Sequence, residues 1–157
     1  MEKLKSFTKV KNIVRATPLP PIEIKRGPII ICPPNKFAKK IFKNLGKVLE
    51  IRNEKLSHKF WSTASLMAAY YEILNTSSRW LVKKGINKKF AETYIAELFL
   101  ALSQDAFNKS SQGYKKLVAD SQTPKGLNMQ VLNELKKGKF FTKFTKALDN
   151  VNKRVSK

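Results

Sequence analysis

The sequence predicts a mainly α-helical protein that begins with a short α/β segment. Short apolar runs bounded by proline and glycine continue to about residue 59, and from His58 onward apolar residues recur at helical spacing. We therefore expect two segments, residues 1–57 and residues 58–157. The 157 residues, of which 42% are apolar, give room for one domain of ordinary size with a small appendage.

The first segment reads as short strands and loops. Asn12–Ala16 is a brief strand candidate, and the prolines of Thr17–Pro21 then exclude regular pairing. Gly27–Pro34 has the pattern of a buried strand, Asn35 can cap a helix that runs to about Leu45, and 47–51 reads as a third strand. Because three short strands and one helix cannot bury both faces of a sheet, we interpret this segment as the tail of a larger α/β domain.

The second segment reads as helices throughout. Phe60–Val82 is apolar on most sides and is predicted as one long buried helix that Gly85 ends. Asn87 can cap the next helix, a short helix covers 114–120, and another runs from Leu127 to the stop at Gly138.

The last predicted helix and the helix that follows Asn87 both carry apolar stripes. The stripe of the earlier helix is Phe90, Tyr94, Ile95, Leu98, Phe99 and Leu102. The last helix has a seam at steps of three and four: Phe141, Phe144, Leu148, Val151 and Val155. Because so much apolar helical surface exceeds the needs of one small bundle, the pattern predicts an intertwined homodimer or a higher homo-oligomer.

The charge is strongly basic, with 32 Lys plus Arg against 11 Asp plus Glu and a formal net charge of +21. Such an excess is often found in proteins that bind nucleic acid. Here the lysines are spread over nearly every segment, and no Arg-rich run or aromatic–basic motif occurs. A solvated lysine surface therefore explains the charge better than nucleic-acid binding.

Cys32 is the only cysteine, which excludes an internal disulfide and fits a reducing compartment. The basic first eleven residues are followed by no apolar core of a secretory signal, and no apolar run reaches the roughly 18 residues of a membrane span. We expect a cytoplasmic protein with no membrane partner.

The sequence gives no sign of a catalytic or metal centre. His58 is the only histidine, there is no nucleophile elbow on which to build a triad, and one histidine with one cysteine cannot hold zinc. Tyr70, Tyr71 and Trp80 lie at helical spacing that is typical of a core or an interface. We assign no catalytic residue and no metal ligand.

One loop has the features of a binding site. Thr123-Pro-Lys-Gly126 stands directly before a helix, whose unpaired N–H groups and positive dipole end can hold a carboxylate or a phosphate. Thr123 and Asn128 could each add a hydrogen bond, Lys125 a charge, and Gly126 a close backbone approach. The alternative is an ordinary helix start at which Thr123 caps its own turn.

At these residues the chain resembles the pyrroline-5-carboxylate reductases. Arg15-Ala-Thr-Pro18-Leu-Pro-Pro21 matches Arg15, Pro18 and Pro21 of the family's Arg-x-Met-Pro-Asn-x-Pro strand motif. Lys84-Gly-Ile86, the Ala-rich 91–106 and Thr123–Asn128 follow in the family's order and spacing. Val131–Leu135 is similar to the family's Leu-x-x-Leu-Glu segment.

The resemblance implies a fold and a function. Residues 1–57 would be the C-terminal remnant of a Rossmann-type nucleotide-binding domain, and 58–157 a helical dimerisation and substrate-binding domain of the 6-phosphogluconate dehydrogenase C-terminal type. The family reduces a cyclic imine to proline with NADPH or NADH. By this resemblance, Thr123, Lys125, Gly126 and Asn128 would hold the substrate carboxylate, and Pro18 and Leu19 would lie near the cofactor.

The chain departs from the family at several of these positions. Leu19 replaces an Asn near the nicotinamide and Thr17 a Met, while Ala64–Ala69 replaces a helix start that contains Gly and Pro. Lys125 replaces a loop Gly, and Asn128 the loop's second Thr. No G-x-G-x-x-G occurs, so we expect that this chain lacks most of the cofactor domain and alone binds neither NADH nor NADPH.

Two classes of function follow. In the first, the chain is part of a reductase that works with a separate nucleotide-binding half. In the second, it is a non-catalytic helical dimer that binds a small carboxylate or serves in assembly. Binding of nucleic acid would be a third, which rests on charge alone.

Overall fold

The computed structural model describes residues 2–156, with the backbone alone at residues 2, 3 and 5. The chain divides into two compact units: the first runs to Ser65 and takes in the chain from Ala147 onward, and the second spans Leu66–Lys146. The strands are β1 (Arg15–Thr17), β2 (Pro28–Cys32) and β3 (Lys47–Glu50). The α-helices of the described residues are α1 (Glu2–Phe7), α2 (Lys36–Phe42), α3 (Ser57–Ala64), α4 (Met67–Lys83), α5 (Lys88–Asn108), α6 (Tyr114–Asp120), α7 (Leu127–Lys137) and α8 (Phe140–Val155).

This architecture confirms the predicted fold class, a mainly α protein that begins with a short α/β segment. Short 3-10 turns lie at Pro20–Ile24, Glu54–Leu56 and Ser110–Gln112. None of the helices in the part of the chain that the structure describes is long and apolar enough to cross a membrane.

The first unit is built on a sheet of order β1-β2-β3. β1 pairs antiparallel with β2, and β2 pairs parallel with β3 through the crossover helix α2. Ile29 and Ile31 point to one face of the sheet and form the main buried cluster with Ala38 of α2. Ile30 points to the opposite face and is also buried. Because β2 is covered on both faces, its run of isoleucines is continuous rather than alternating with polar residues.

The start of β3 depends on a close backbone approach. Lys47 donates its N–H to the carbonyl of Gly27 at 3.0 Å. A Cβ at Gly46 would lie 2.6 Å from the same Gly27 oxygen. Glycine therefore lets the chain turn from α2 directly into the strand.

Two predicted boundaries in this unit are wrong by a few residues. The first strand is Arg15–Thr17 rather than 12–16, because pairing with β2 begins where Arg15 meets Cys32. The helix capped by Asn35 ends at Phe42 rather than at Leu45, since Leu45 donates to Phe42 in a turn that leads to Gly46. The cap itself is confirmed, with Asn35 Oδ1 accepting from the N–H of Ala38 at 2.9 Å.

The prediction of one long helix over Phe60–Val82 is wrong, because the chain breaks at Ser65 and Leu66 between α3 and α4. Three hydroxyl groups at or just before the break each donate to the main-chain carbonyl of a residue three or four positions earlier. Ser62 Oγ donates to His58 O at 2.8 Å, Thr63 Oγ1 to Phe60 O at 2.9 Å, and Ser65 Oγ to Ser62 O at 2.6 Å. Such bonds also occur at Ser77 and Ser78 within α4, where the helix continues, so they accompany the break without being sufficient to cause it.

The second unit is built on the antiparallel pair α4 and α5. Gly85 makes the turn with φ of 91°, and Asn87 caps α5 by accepting from the N–H of Phe90, as predicted. The edge of one ring in the Tyr70–Phe99 pair meets the face of the other, at 6.2 Å between centroids. In this unit only two apolar side chains among the described residues, Ala91 and Ile95, are buried.

We expect Ile31→Ala to destabilise the chain by about 3 kcal/mol, because Ile31 is fully buried in the cluster beneath the sheet. Ile41→Ala is the matched control: its side chain is 50% exposed, and its loss should cost less than about 1 kcal/mol. Urea unfolding at one fixed protein concentration measures both. Equal losses would show that the β2–α2 layer does not hold the first unit together.

Candidate functional site

The loop before α7 is a tight turn with a left-handed residue. Gly126 donates its N–H to Thr123 O at 2.8 Å, which closes a β-turn with Pro124 and Lys125 at its centre. Lys125 has φ of 61°. A proline followed by a residue with positive φ is typical of a type II turn, whose third position favours glycine or asparagine. Lysine therefore occupies a backbone conformation that glycine adopts without strain.

Gly126 allows Thr123 to lie against the start of α7. A Cβ at Gly126 would meet the Thr123 hydroxyl and would lie 2.9 Å from the Thr123 carbonyl oxygen. Without a side chain at this position, the Thr123 hydroxyl reaches the first turn of the helix. Thr123 is thus the group that approaches the Gly126 backbone within the turn, and the predicted close approach of a ligand stays a prediction.

No side chain caps α7 at Gly126. Thr123 therefore does not cap this helix, and an ordinary helix start stays the alternative to a binding site. The first turn of α7 carries no acidic residue, and Lys136 and Lys137 lie at its C-terminal end, where they suit the helix dipole. The N-terminus of α7 presents N–H groups and a positive dipole end that a carboxylate can occupy.

Asn128 has a different position from the one expected of a direct ligand. Its side-chain Nδ2 donates to Ser121 O at 2.9 Å and so ties the first turn of α7 to the end of α6. This bond uses one of its two amide N–H groups. Thr123, Lys125 and Asn128 are all exposed, so the loop is a surface site in a single copy of the chain.

The two residues predicted to lie near a cofactor are in the first unit. Pro18 is exposed, whereas Leu19 is half-buried and lines a cavity of about 230 Å³ between the sheet and α3. The lining is apolar apart from two hydroxyls: Thr17, Leu19, Pro28, Ile30, Leu49, Phe60, Trp61, Thr63 and Ala64. Thr17, Ile30 and Leu49 stand in register across the three strands and form one wall.

Trp61 is held in this cavity from several directions. Its Nε1 donates to Thr17 Oγ1 at 3.3 Å, and the Arg15 guanidinium lies 5.4 Å from its ring centroid. Arg15 is itself paired with Glu54 at 2.9 Å, and the His58 ring lies 5.0 Å from that of Trp61. The sequence reading did not single out Trp61, because its partner Thr17 lies 44 residues away. The one local signal was the spacing of three residues between His58 and Trp61, which places both rings on the same side of a helix.

A pyridine dinucleotide does not fit the residues around Leu19. The cavity is smaller than the roughly 300–1,000 Å³ of ordinary ligand sites. It contains no charged side chain that could bind the phosphates. The spacing of the six glycines also forms no phosphate-binding loop. The cavity at Leu19 therefore has no group that would hold the phosphates of a dinucleotide.

The remaining polar candidates are structural. Cys32 is buried in β2, and burial raises the pKa of its thiol, as is typical of a packing cysteine rather than a reactive one. Among the described residues no three histidines, cysteines or carboxylates lie together as metal ligands.

The family profile described as pyrroline-5-carboxylate reductase dimerisation matches residues 54–157, about two thirds of the chain. The chain belongs to this family. The match covers α3 to α8, and therefore includes the candidate loop and the start of α7. No curated protein sequence matches the chain.

Solved structures of reductases have the same fold. The Coxiella burnetii pyrroline-5-carboxylate reductase superposes with a TM-score of 0.82 at 23% identity, covering 96% of this chain and 58% of its own. The Plasmodium falciparum pyrroline carboxylate reductase, solved with NADP bound, gives 0.83 at 22% identity, covering 99% and 62%. The Streptococcus pyogenes 1-pyrroline-5-carboxylate reductase gives 0.78 at 20% identity, covering 91% and 57%. The chain thus spans about three fifths of the length of these reductases.

We expect Lys125→Gly to stabilise the chain by about 0.5–1 kcal/mol, because glycine removes the strain of positive φ at this turn. Lys115→Gly is the control with the same change of side chain within α6, where glycine should instead cost about 1 kcal/mol. Thermal unfolding of the two variants compares them directly. A loss of stability in both would mean that Lys125 is not strained.

Proposed function

We propose that this chain is the dimerising and carboxylate-binding part of a pyrroline-5-carboxylate reductase. The observation that carries the proposal is the family match over residues 54–157. The reaction proposed is transfer of a hydride from NADPH or NADH to the carbon of a cyclic imine, giving proline. Because the cavity at Leu19 does not fit a dinucleotide and the sequence has no G-x-G-x-x-G loop, we propose that a separate nucleotide-binding half supplies the cofactor.

Self-association is the part of this proposal with the most structural support. Phe90, Tyr94, Leu98 and Leu102 follow one another at every fourth position of α5, and each is more than a third exposed. Such an i+4 series forms a ridge that packs into the grooves of another helix. Because little of the second unit is buried, we propose that a second copy of the chain covers this ridge, which we call the α5 ridge.

The loop from Thr123 to Asn128 is the proposed carboxylate site. The Thr123 hydroxyl and the free N–H groups at the start of α7 can donate to carboxylate oxygens, and Asn128 keeps the first turn in place through Ser121. Lys125 contributes a positive charge from the turn. The role of the loop in the reaction would be to position the imine, since correct placement of two reactants supplies much of the rate.

The misfit of the cofactor favours a second candidate function, a non-catalytic helical dimer that binds a small carboxylate or serves in assembly. The two functions differ in one assay, oxidation of NADPH or NADH in the presence of the cyclic imine. Activity of the chain after a nucleotide-binding half is added, for example one encoded directly upstream of its gene, would support the reductase.

The lysine surface and the single buried cysteine are compatible with either function in the cytoplasm. We propose no nucleic-acid partner.

We also propose the family division of the chain into residues 1–57 and 58–157. The compact units divide elsewhere, at Ser65, because α3 packs with the sheet of the first unit. The two divisions are compatible, because the family division follows the ancestry of the segments and the compact units follow the contacts between residues.

We expect Leu98→Asp to disrupt self-association by on the order of 3 kcal/mol, because it places a charge in the middle of the α5 ridge. Thr93→Asp adds the same charge on an exposed residue of α5 outside the ridge and should leave the oligomer intact. Sedimentation measures the molecular mass of both variants at several concentrations. A stable folded monomer in the unmodified chain would contradict the proposed dimer.

We expect proline, as a cyclic carboxylate, to shift the NMR signals of Thr123, Gly126 and Asn128 before others. Thr123→Val keeps the shape of the side chain but removes the hydroxyl, and should weaken binding by about 1–2 kcal/mol. Thr123→Ser keeps the hydroxyl and should retain most of the affinity. If proline shifts signals elsewhere and leaves this loop unchanged, the carboxylate site is wrongly placed.

A further inference from the structure

A polar cleft in the second unit lies apart from the loop before α7 and from the α5 ridge. Its volume is about 430 Å³, and α4 forms most of its wall. The residues of α4 that line it share one face of the helix: Asn75, Ser78, Arg79, Val82 and Lys83. Lys88 and Glu92, from the first turns of α5, complete it.

The cleft contains more positive than negative charge. Three cationic side chains line it against the one carboxylate of Glu92. Lys88 lies 3.8 Å from Glu92, a long contact between two exposed groups that contributes little. Within the described residues neither Arg79 nor Lys83 takes part in an ion pair. Lys83 is therefore available to an anion in the cleft, and so is Arg79, although the Glu72 carboxylate attracts it from the same helix.

The start of α5 has an unfavourable charge pattern for an isolated helix. Its first turn contains Lys88 and Lys89 and no acidic residue, although the positive end of a helix dipole favours negative charge. The two lysines thus add positive charge at the end that is already positive. Unfavourable positive charge at a helix N-terminus is expected at a functional site, where an anionic ligand compensates for it.

Hydrogen bonding within α4 keeps the floor of the cleft fixed. Ser78 is 92% buried there, with an exposure of 8%, and its Oγ donates to Asn75 O at 3.0 Å. Asn75 Nδ2 in turn donates to Glu72 at 3.0 Å, and this bond, together with one from Thr76, holds the pKa of Glu72 below its usual range. Glu72 therefore stays charged on the surface of α4 and orients the Asn75 side chain.

We propose that this cleft binds a phosphate-bearing small molecule. The Arg79 guanidinium offers paired donors that match phosphate oxygens, and the Lys83 and Lys88 amines add point charges on both sides. The volume exceeds that of one phosphate group and lies in the range of small-ligand sites. The proposal is independent of the reductase function, since it concerns other residues and another ligand.

The test uses inorganic pyrophosphate as the probe and the full chain. In an NMR titration, the amide signals of residues 75–83 and 87–92 should shift most. Arg79→Gln and Lys83→Gln should each weaken binding about tenfold, the usual effect of losing one hydrogen bond between charged groups. Glu92→Gln should strengthen binding, because it removes the one negative charge that lines the cleft.

Lys84→Gln is the matched control. It removes the same charge one residue further along, but the Lys84 amine lies over the Trp80 ring, 5.7 Å from its centroid, rather than in the cleft. The Lys84→Gln variant should bind pyrophosphate with the affinity of the unmodified chain. Equal weakening by Lys83→Gln and Lys84→Gln would mean that pyrophosphate responds only to the net charge of the chain, and would overturn the site. Citrate binding as tightly as pyrophosphate would overturn the assignment to phosphate.

Discussion

The helices of the second unit have more apolar surface than they can bury on one another. A typical helical domain hides a stripe of each helix against its neighbours, yet here Ala91 and Ile95 are the only apolar side chains buried among the described residues of the unit. Trp80, Phe90 and Phe107 are each more than half exposed. A large exposed apolar surface of this kind favours association, so the proposed second copy would complete the core and not merely add to it.

This constraint bears on the loop before α7 as well. In one copy of the chain Thr123 and Asn128 are exposed, and a carboxylate held there would remain in contact with water. Hydrogen bonds to a charged ligand are stronger where water is excluded. If the exposed apolar helices bring a second copy close to the loop, the site gains affinity without any new residue. The proposed carboxylate binding would then depend on the proposed dimer.

Local signals predicted much of this fold. The caps at Asn35 and Asn87 and the stop at Gly138 could be recognised from residues within one turn, because capping depends on short-range geometry. The break at Ser65 was missed because no glycine or proline marks it, and the hydroxyl bonds beside it also occur within continuous helices. The position of Trp61 was missed because its contacts with Arg15 and Thr17 join distant parts of the chain.

The sequence predicted the backbone turn of the candidate loop better than the hydrogen bonds of its side chains. Pro124 and Gly126 indicate a turn before a helix, and the structure has that turn. In the structure the Asn128 side chain donates to the Ser121 carbonyl oxygen and is not free for a ligand. The sequence did not predict this bond, because it depends on where α6 ends.

Lys125 is the most informative position in that turn. Lysine at positive φ costs roughly 1 kcal/mol relative to a relaxed backbone, and Lys25 and Lys139 adopt the same conformation in turns to which no site is assigned. Strained positions occur where the surrounding structure fixes them and often where ligands bind. Lys125 directly precedes Gly126, the N-cap residue of α7, and no side chain caps that helix. Its charge therefore adds to the helix dipole at the point where a carboxylate would lie. A lysine in place of the family's glycine is thus compatible with the proposed anion site.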